Sequence, residues 1–174
     1  MPAAGDTKIE FSRSYVWLIP NQNSPGAWRL TGSDNASSGN VDESALAFTG
    51  TVAAGVTIAA KQLVYITATG EIDLADASTV DTAKVAGVAV LGATAGQTVT
   101  YTRNQPVSIT NVSTVVDDSP VTLETGKYYF LSATNPGNYT RTPDTTTSGA
   151  VLVQVGLALD AANMSIEIQS GVLI

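Results

Sequence analysis

The residues able to do chemistry in this chain are carboxylates, hydroxyls and a few aromatics. There is no His and no Cys among the 174 residues. The missing His excludes Ser/His/Asp hydrolases, most Zn sites and acid–base enzymes built on the one side chain that titrates near neutrality. The missing Cys removes disulfides, thiolate metal sites and thiol nucleophiles together, and leaves the redox compartment undetermined. Among the 15 carboxylates, three acidic groups stand close in sequence. Glu71, Asp73 and Asp76 offer oxygens to Ca²⁺, but without EF-hand spacing or its glycine, so a solvated hairpin and loop is the better reading. Asp117-Asp118 and Asp42-Glu43 are adjacent in sequence. In a strand such neighbours point to opposite faces, which makes them poor acid–base pairs and suggests solvated loop charges. A carboxylate glycosidase would need two of these groups ~5 to 9 Å apart in one cleft, and nothing in the sequence points to that. No catalytic, metal or cofactor site is expected.

Aromatics give the other candidates. Tyr128, Tyr129 and Tyr139 flank one turn and could stack on sugars, or serve as cross-strand core pairs. Trp17 and Trp28, the only tryptophans, sit with Arg29 in the first 50 residues. Such side chains dominate interface hot spots, so all three are candidate partner contacts; the alternative is that they anchor their segment on its own domain. Asn35, Asn111, Asn138 and Asn163 each begin an Asn-X-Ser/Thr triplet, which chance explains in so Ser- and Thr-rich a chain.

Charge and hydropathy narrow the partners. The chain carries 15 acidic and 8 basic residues, a net charge of -7, and would repel phosphates rather than bind nucleic acid. It has no apolar run of the ~18 residues that would span a membrane as a helix. The opening Met1–Asp6 lacks the basic and apolar blocks of a signal peptide, so synthesis in a cytoplasm is expected.

The elements that would position these residues read as β. Residues 1–50 predict an N-terminal arm with little regular structure. Lys8–Phe11 offers a short strand and Tyr15–Ile19 an apolar burst stopped by Pro20, set among loop-like runs at 21–26 and 32–40. Such an arm would pack on the main domain or on a neighbouring subunit. Residues 51–174 predict one all-β domain, a small β-barrel or sandwich built from two similar halves, at about 55–109 and 121–174. The first half reads Leu63–Gly70, Ala86–Val90, Val99–Tyr101 and Pro106–Ile109; the second reads Tyr128–Thr134, Val155–Leu159, Met164–Ile166 and Gly171–Ile174. Val99 aligns with Met164 and Ile109 with Ile174 without a gap. Gly87 inside an otherwise apolar strand predicts a bulge or a close backbone approach. Neither half has strands enough to hide its own apolar face, so the halves are expected to pack together. Gly171–Ile174 should complete a sheet or lie in a subunit contact.

The run Thr82–Val90 followed by Thr94–Tyr101 resembles the capsid decoration, or cement, proteins of tailed bacteriophages, of the small β-barrel type. A small-residue "VGVA"-like strand, a turn ending in Gly96 and a Val-Thr-Tyr strand carry the likeness, and Val155–Leu159 repeats its core. The resemblance covers roughly residues 51–174. It implies a non-catalytic structural virion protein, made in the host cytoplasm, that binds the major capsid protein on the outside of the head and stabilises contacts between capsid subunits. It also implies a homo-oligomer, commonly a trimer. A second reading is a head-fibre or tail-associated adsorption module that binds host surface glycans.

Overall fold

The computed structural model describes residues 7–11, 14–20, 28–31, 47–103, 106–109, 112–118 and 122–174. The chain forms two compact units, Met1–Asp42 and Glu43–Ile174. The first contains an antiparallel sheet of β1 (Thr7–Phe11), β2 (Ser14–Pro20) and β3 (Trp28–Thr31), with β2 at its centre. Regular structure therefore occupies a region expected to have little. The apolar burst pairs on both sides, Ile9 opposite Val16 and Leu30 opposite Leu18, which gives its backbone groups partners that a loop could not. The loop-like runs at 21–26 and 32–40 lie outside the described residues.

The second unit is all-β and doubled. Its first sheet is β4 (Ala47–Thr51), β10 (Thr98–Thr102), β8 (Val85–Ala89), β6 (Leu63–Ile66) and β7 (Ile72–Leu74), in that spatial order. The second is β11 (Val107–Ser108), β16 (Asn163–Ile166), β15 (Gln154–Ala158), β12 (Tyr128–Leu131) and β13 (Tyr139–Thr140). Strand for strand the two orders are the same. Two short ribbons, β5 (Thr57–Ile58) with β9 (Ala93–Thr94) and β14 (Val151–Leu152) with β17 (Val172–Leu173), and one helical turn, α1 (Val112–Val115), complete it. Neither sheet closes into a barrel. In each, a single parallel bridge ties the far edge strand to a residue that follows the first: Val52, just after β4, to Ile72, and Val116, after β11 and α1, to Tyr139. The same hydrogen bond follows it, Ala53 N–H to the Ile72 carbonyl and Asp117 N–H to the Tyr139 carbonyl, each 2.9 Å.

The pairing registers fix which residues correspond. Val64 faces Gly87 and Tyr129 faces Gly156, and in both ladders the register then slips by a bulge. Tyr101 pairs with Phe48 and Ala89; Met164 pairs with Val107 and Ala158. Met164 thus stands where Tyr101 stands, two residues from the expected alignment with Val99. Val107–Ser108, expected to close the first half, opens the second sheet because its partner is β16. The C-terminal Val172–Leu173 pairs instead with Val151–Leu152. The unit boundary falls before Glu43 rather than near Gly50, since β4 is the edge of the first sheet.

Two core clusters fill the unit. Val52, Ile58, Val64, Ile72, Ala89, Val99 and Tyr101 form the smaller, inside the first sheet. The larger joins the halves, combining Leu63, Val85 and Val88 from the outer face of the first sheet with Val107, Leu131, Val155, Met164 and Ile166 from the inner face of the second.

The glycine of each bulge is demanded by its neighbour strand. A Cβ on Gly87 would lie 2.6 Å from the Thr102 carbonyl oxygen, and one on Gly156 would lie 2.5 Å from that of Ser165. Thr102 and Ser165 hold equivalent positions. Gly87→Ala and Gly156→Ala should each therefore destabilise the unit by about 1–3 kcal/mol, read from urea denaturation midpoints. Lys61 supplies a converse test. It is left-handed at φ 73°, where the equivalent residue of the second half is Gly126 at φ 77°. Removing the Cβ relieves the left-handed penalty at some cost in chain entropy, so Lys61→Gly should stabilise by about 0.5–1 kcal/mol in the same assay.

Candidate functional site

The first unit holds all three candidate contact residues in one sheet. Trp17 lies in the central strand opposite Lys8 and Thr31, while Trp28 and Arg29 lie opposite Pro20 and Ile19.

In the second unit the acidic groups are tied into local structure. Thr69 Oγ1 donates to Glu71 at 3.0 Å, and Asp76 accepts the Ser78 N–H at 2.7 Å. Asp73 accepts its neighbour Leu74 N–H at 2.6 Å. Among the described residues, no group of three His, Cys, Asp or Glu is placed to hold a metal ion.

Asp117 and Asp118 are not the solvated loop charges expected of them. They follow α1 in a turn, so the opposite-face rule for strands does not separate them, and each organises part of the Ser132–Thr142 segment. Asp117 accepts from Asn135 Nδ2 at 2.9 Å, Asn138 Nδ2 at 2.8 Å and the Ser132 hydroxyl. Asp118 accepts from Thr142 Oγ1 at 2.9 Å, Thr140 Oγ1 at 3.2 Å and the Arg141 backbone N–H. The Arg141 guanidinium places Nε 3.5 Å from Asp118, without hydrogen-bond alignment, and its other end pairs with Glu124. Partial burial pulls the Asp118 carboxyl upward; the Arg141 N–H, the two threonine hydroxyls and the guanidinium outweigh it and hold the pKa below the ordinary value. Asp42 and Glu43 lie outside the described residues.

The tyrosines do not form a sugar-stacking platform. Tyr129 and Tyr139 are fully buried, and of these three Tyr128 alone is exposed. The Tyr129 hydroxyl accepts the Glu124 N–H at 3.0 Å, and the Tyr139 hydroxyl donates to the Lys61 carbonyl at 3.0 Å. Burial pushes the Tyr139 phenol far above its usual range, so it is a neutral donor under all ordinary conditions.

Sequence reasoning missed two apolar surfaces. At the open end of the first sheet Phe48 stacks on Tyr101, ring centroids 5.7 Å apart, beside Ile66 and Ala86, with Lys84 and Arg103 at the rim. Phe48 is 54% and Ile66 50% exposed. On the outer face of the second sheet, Tyr128 is 50% and Leu159 47% exposed. A period-two pattern marks these residues as apolar positions of a strand but does not say which sheet covers them.

Compared with known proteins, the chain matches no family model and no curated protein.

The Asp118 cluster yields a pH test with a definite sign. A carboxyl whose folded pKa lies below its unfolded value contributes stability that is present above about pH 4–5 and lost as pH falls through the folded pKa. Asp118→Asn should lower stability by about 1–2 kcal/mol at pH 7. The gap to the parent chain should shrink as pH falls below about 4, in thermal melts followed across that range.

Proposed function

We propose that this chain is a non-catalytic structural protein of a bacteriophage virion, which binds the outside of the capsid and stabilises contacts between capsid subunits. The observation that carries this reading is the division of labour between its units. One is a small sheet holding both tryptophans and Arg29; the other is a doubled β module in which, among the described residues, Asp117 and Asp118 are engaged in turns and no three acidic groups gather to hold a metal ion. A rigid β body with a separate aromatic-bearing sheet suits a protein that grips a surface through one part and presents the other. The likeness of Thr82–Tyr101 to decoration proteins supports the same reading, as does a net charge of -7, which suits the side of a shell that faces away from nucleic acid. In it, Trp17, Trp28 and Arg29 contact the major capsid protein. The adsorption-module reading has weaker support, because two of the three tyrosines that could stack on a glycan are buried.

The test is the copy number of the chain relative to the major capsid protein in purified virions, by quantitative mass spectrometry. A fixed lattice fraction is expected. A handful of copies per particle, or none, overturns the reading. Trp17→Ala combined with Trp28→Ala should lower occupancy of emptied capsids about tenfold or more, since truncated aromatic anchors cost over 1.4 kcal/mol when they are hot spots.

A further inference from the structure

The two exposed apolar surfaces are the unmatched ends of a stack. Inside the chain, the outer face of the first sheet covers the inner face of the second. Leu63 and Val88 on the covering side are both 0% exposed; Val107, Leu131 and Met164 on the covered side are 6%, 1% and 0% exposed. All belong to one core. Val88, Thr100 and Thr102 also face Val107 and Asn163 across a cleft of about 440 Å³ along the same seam.

The ladder registers show where the same two faces recur without a second sheet over them among the described residues, with Tyr101, 7% exposed, lying beneath the Phe48 ring. The covered residues Val107, Leu131 and Met164 correspond to Phe48, Ile66 and Tyr101 of the first half. The covering residues Leu63 and Val88 correspond to Tyr128 and the half-buried Leu157. Val90, which lines the cleft at the seam, corresponds to the exposed Leu159: the Val90 N–H donates to the Thr100 carbonyl and the Leu159 N–H to the Asn163 carbonyl, each at 2.8 Å. One end of the unit therefore repeats the covered face and the other repeats the covering face. Phe48, Ile66, Tyr128 and Leu159 are four of the eight large apolar side chains exposed among the described residues.

We infer that the occupant of each end is a second copy of this chain, docked head to tail, so that the outer face of one second sheet caps the open end of another copy's first sheet. The contact repeats an interface the chain already makes within itself, which is why it commits to a copy rather than to another partner. It is heterologous, and a heterologous contact closes as a ring or runs on as a filament. It requires no capsid, so it stands or falls apart from the proposed function.

The experiment is sedimentation of the purified full chain over a wide concentration range, with one variant at each end. The parent chain should show a mass that rises above one chain with concentration. Phe48→Glu and Tyr128→Glu should each run as monomers alone. Mixed in equal amounts they should form a one-to-one dimer and nothing larger, because each keeps the face the other has lost. Ile66→Lys and Leu159→Glu repeat the test at half-exposed positions should either first variant misfold, as judged by near-ultraviolet circular dichroism. A parent chain that stays monomeric throughout overturns the inference. So does a folded end variant that still assembles fully, or a mixture of folded variants that remains monomeric.

Discussion

Everything in the second unit depends on one turn of the second half being built into the first. Gly137 donates its N–H to the Ala75 carbonyl at 2.7 Å and accepts the Leu63 N–H on its own carbonyl at 2.8 Å. It sits at φ +81°, a left-handed conformation that favours glycine, and a Cβ there would press on the Leu74 side chain, 2.7 Å from its Cδ2. Two residues on, Tyr139 crosses the seam, fully buried, to reach the Lys61 carbonyl. Further bonds run the same way, Ala77 N–H to the Ser132 carbonyl at 2.9 Å and Val151 N–H to the Ala77 carbonyl at 2.8 Å. Because these are backbone pairings under an apolar core, neither half can leave without stranding buried polar groups. The Asp117 cluster belongs to the same device. By gripping Ser132, Asn135 and Asn138 it shapes the turn that presents Gly137.

Duplication of the ladder did not mean duplication of the side chains. At the closing bridge, Ile72 of the first half is matched by Tyr139 of the second, and beside the bulge Val64 is matched by Tyr129. The second half fills with larger rings whose hydroxyls then need partners, and both find backbone groups. What stayed fixed is what the backbone requires: Gly87 and Gly156, each under a neighbouring strand's carbonyl. Lys61 is the exception that tests the rule, a side chain kept in a left-handed conformation whose counterpart is glycine.

The doubled all-β fold and the bulge at Gly87 were legible in the sequence, because strand periodicity and a glycine amid branched residues report directly on local geometry. The alignment of the halves was not. Setting Val99 against Met164 in place of Tyr101 is a slip of two residues, and a strand's side chains repeat every two, so alternation is preserved under that error. The same blindness hid the fate of Val107–Ser108, whose membership in the second sheet is a long-range fact carried by its pairing with Met164. Asp117 and Asp118 were misjudged for a different reason. Their partners lie 15 to 24 residues away, and side-chain clusters assembled by tertiary packing leave no spacing signal. That one sheet joins Trp17, Trp28 and Arg29 was likewise not legible, because strand pairing brings together residues well apart in sequence.

The apolar ends follow from arithmetic that any stacked repeat obeys. Two modules share one internal interface and leave two faces, one of each kind. Repeat proteins that stand alone finish with capping units whose outer surfaces are polar. Here the inner face that is Val107 and Leu131 in the second half is Phe48 and Ile66 in the first, as apolar as its buried counterpart and larger at one position. Its rim differs: Lys84 and Arg103 stand on the first half, whereas Val153, 1% exposed, and Ile166, 4% exposed, lie in the joined core of the second. A face that keeps an apolar centre and acquires charge only at its edge has the anatomy of a contact between molecules rather than of a core or a solvated surface. The first sheet thus presents to the outside what the second sheet spends on holding the unit together.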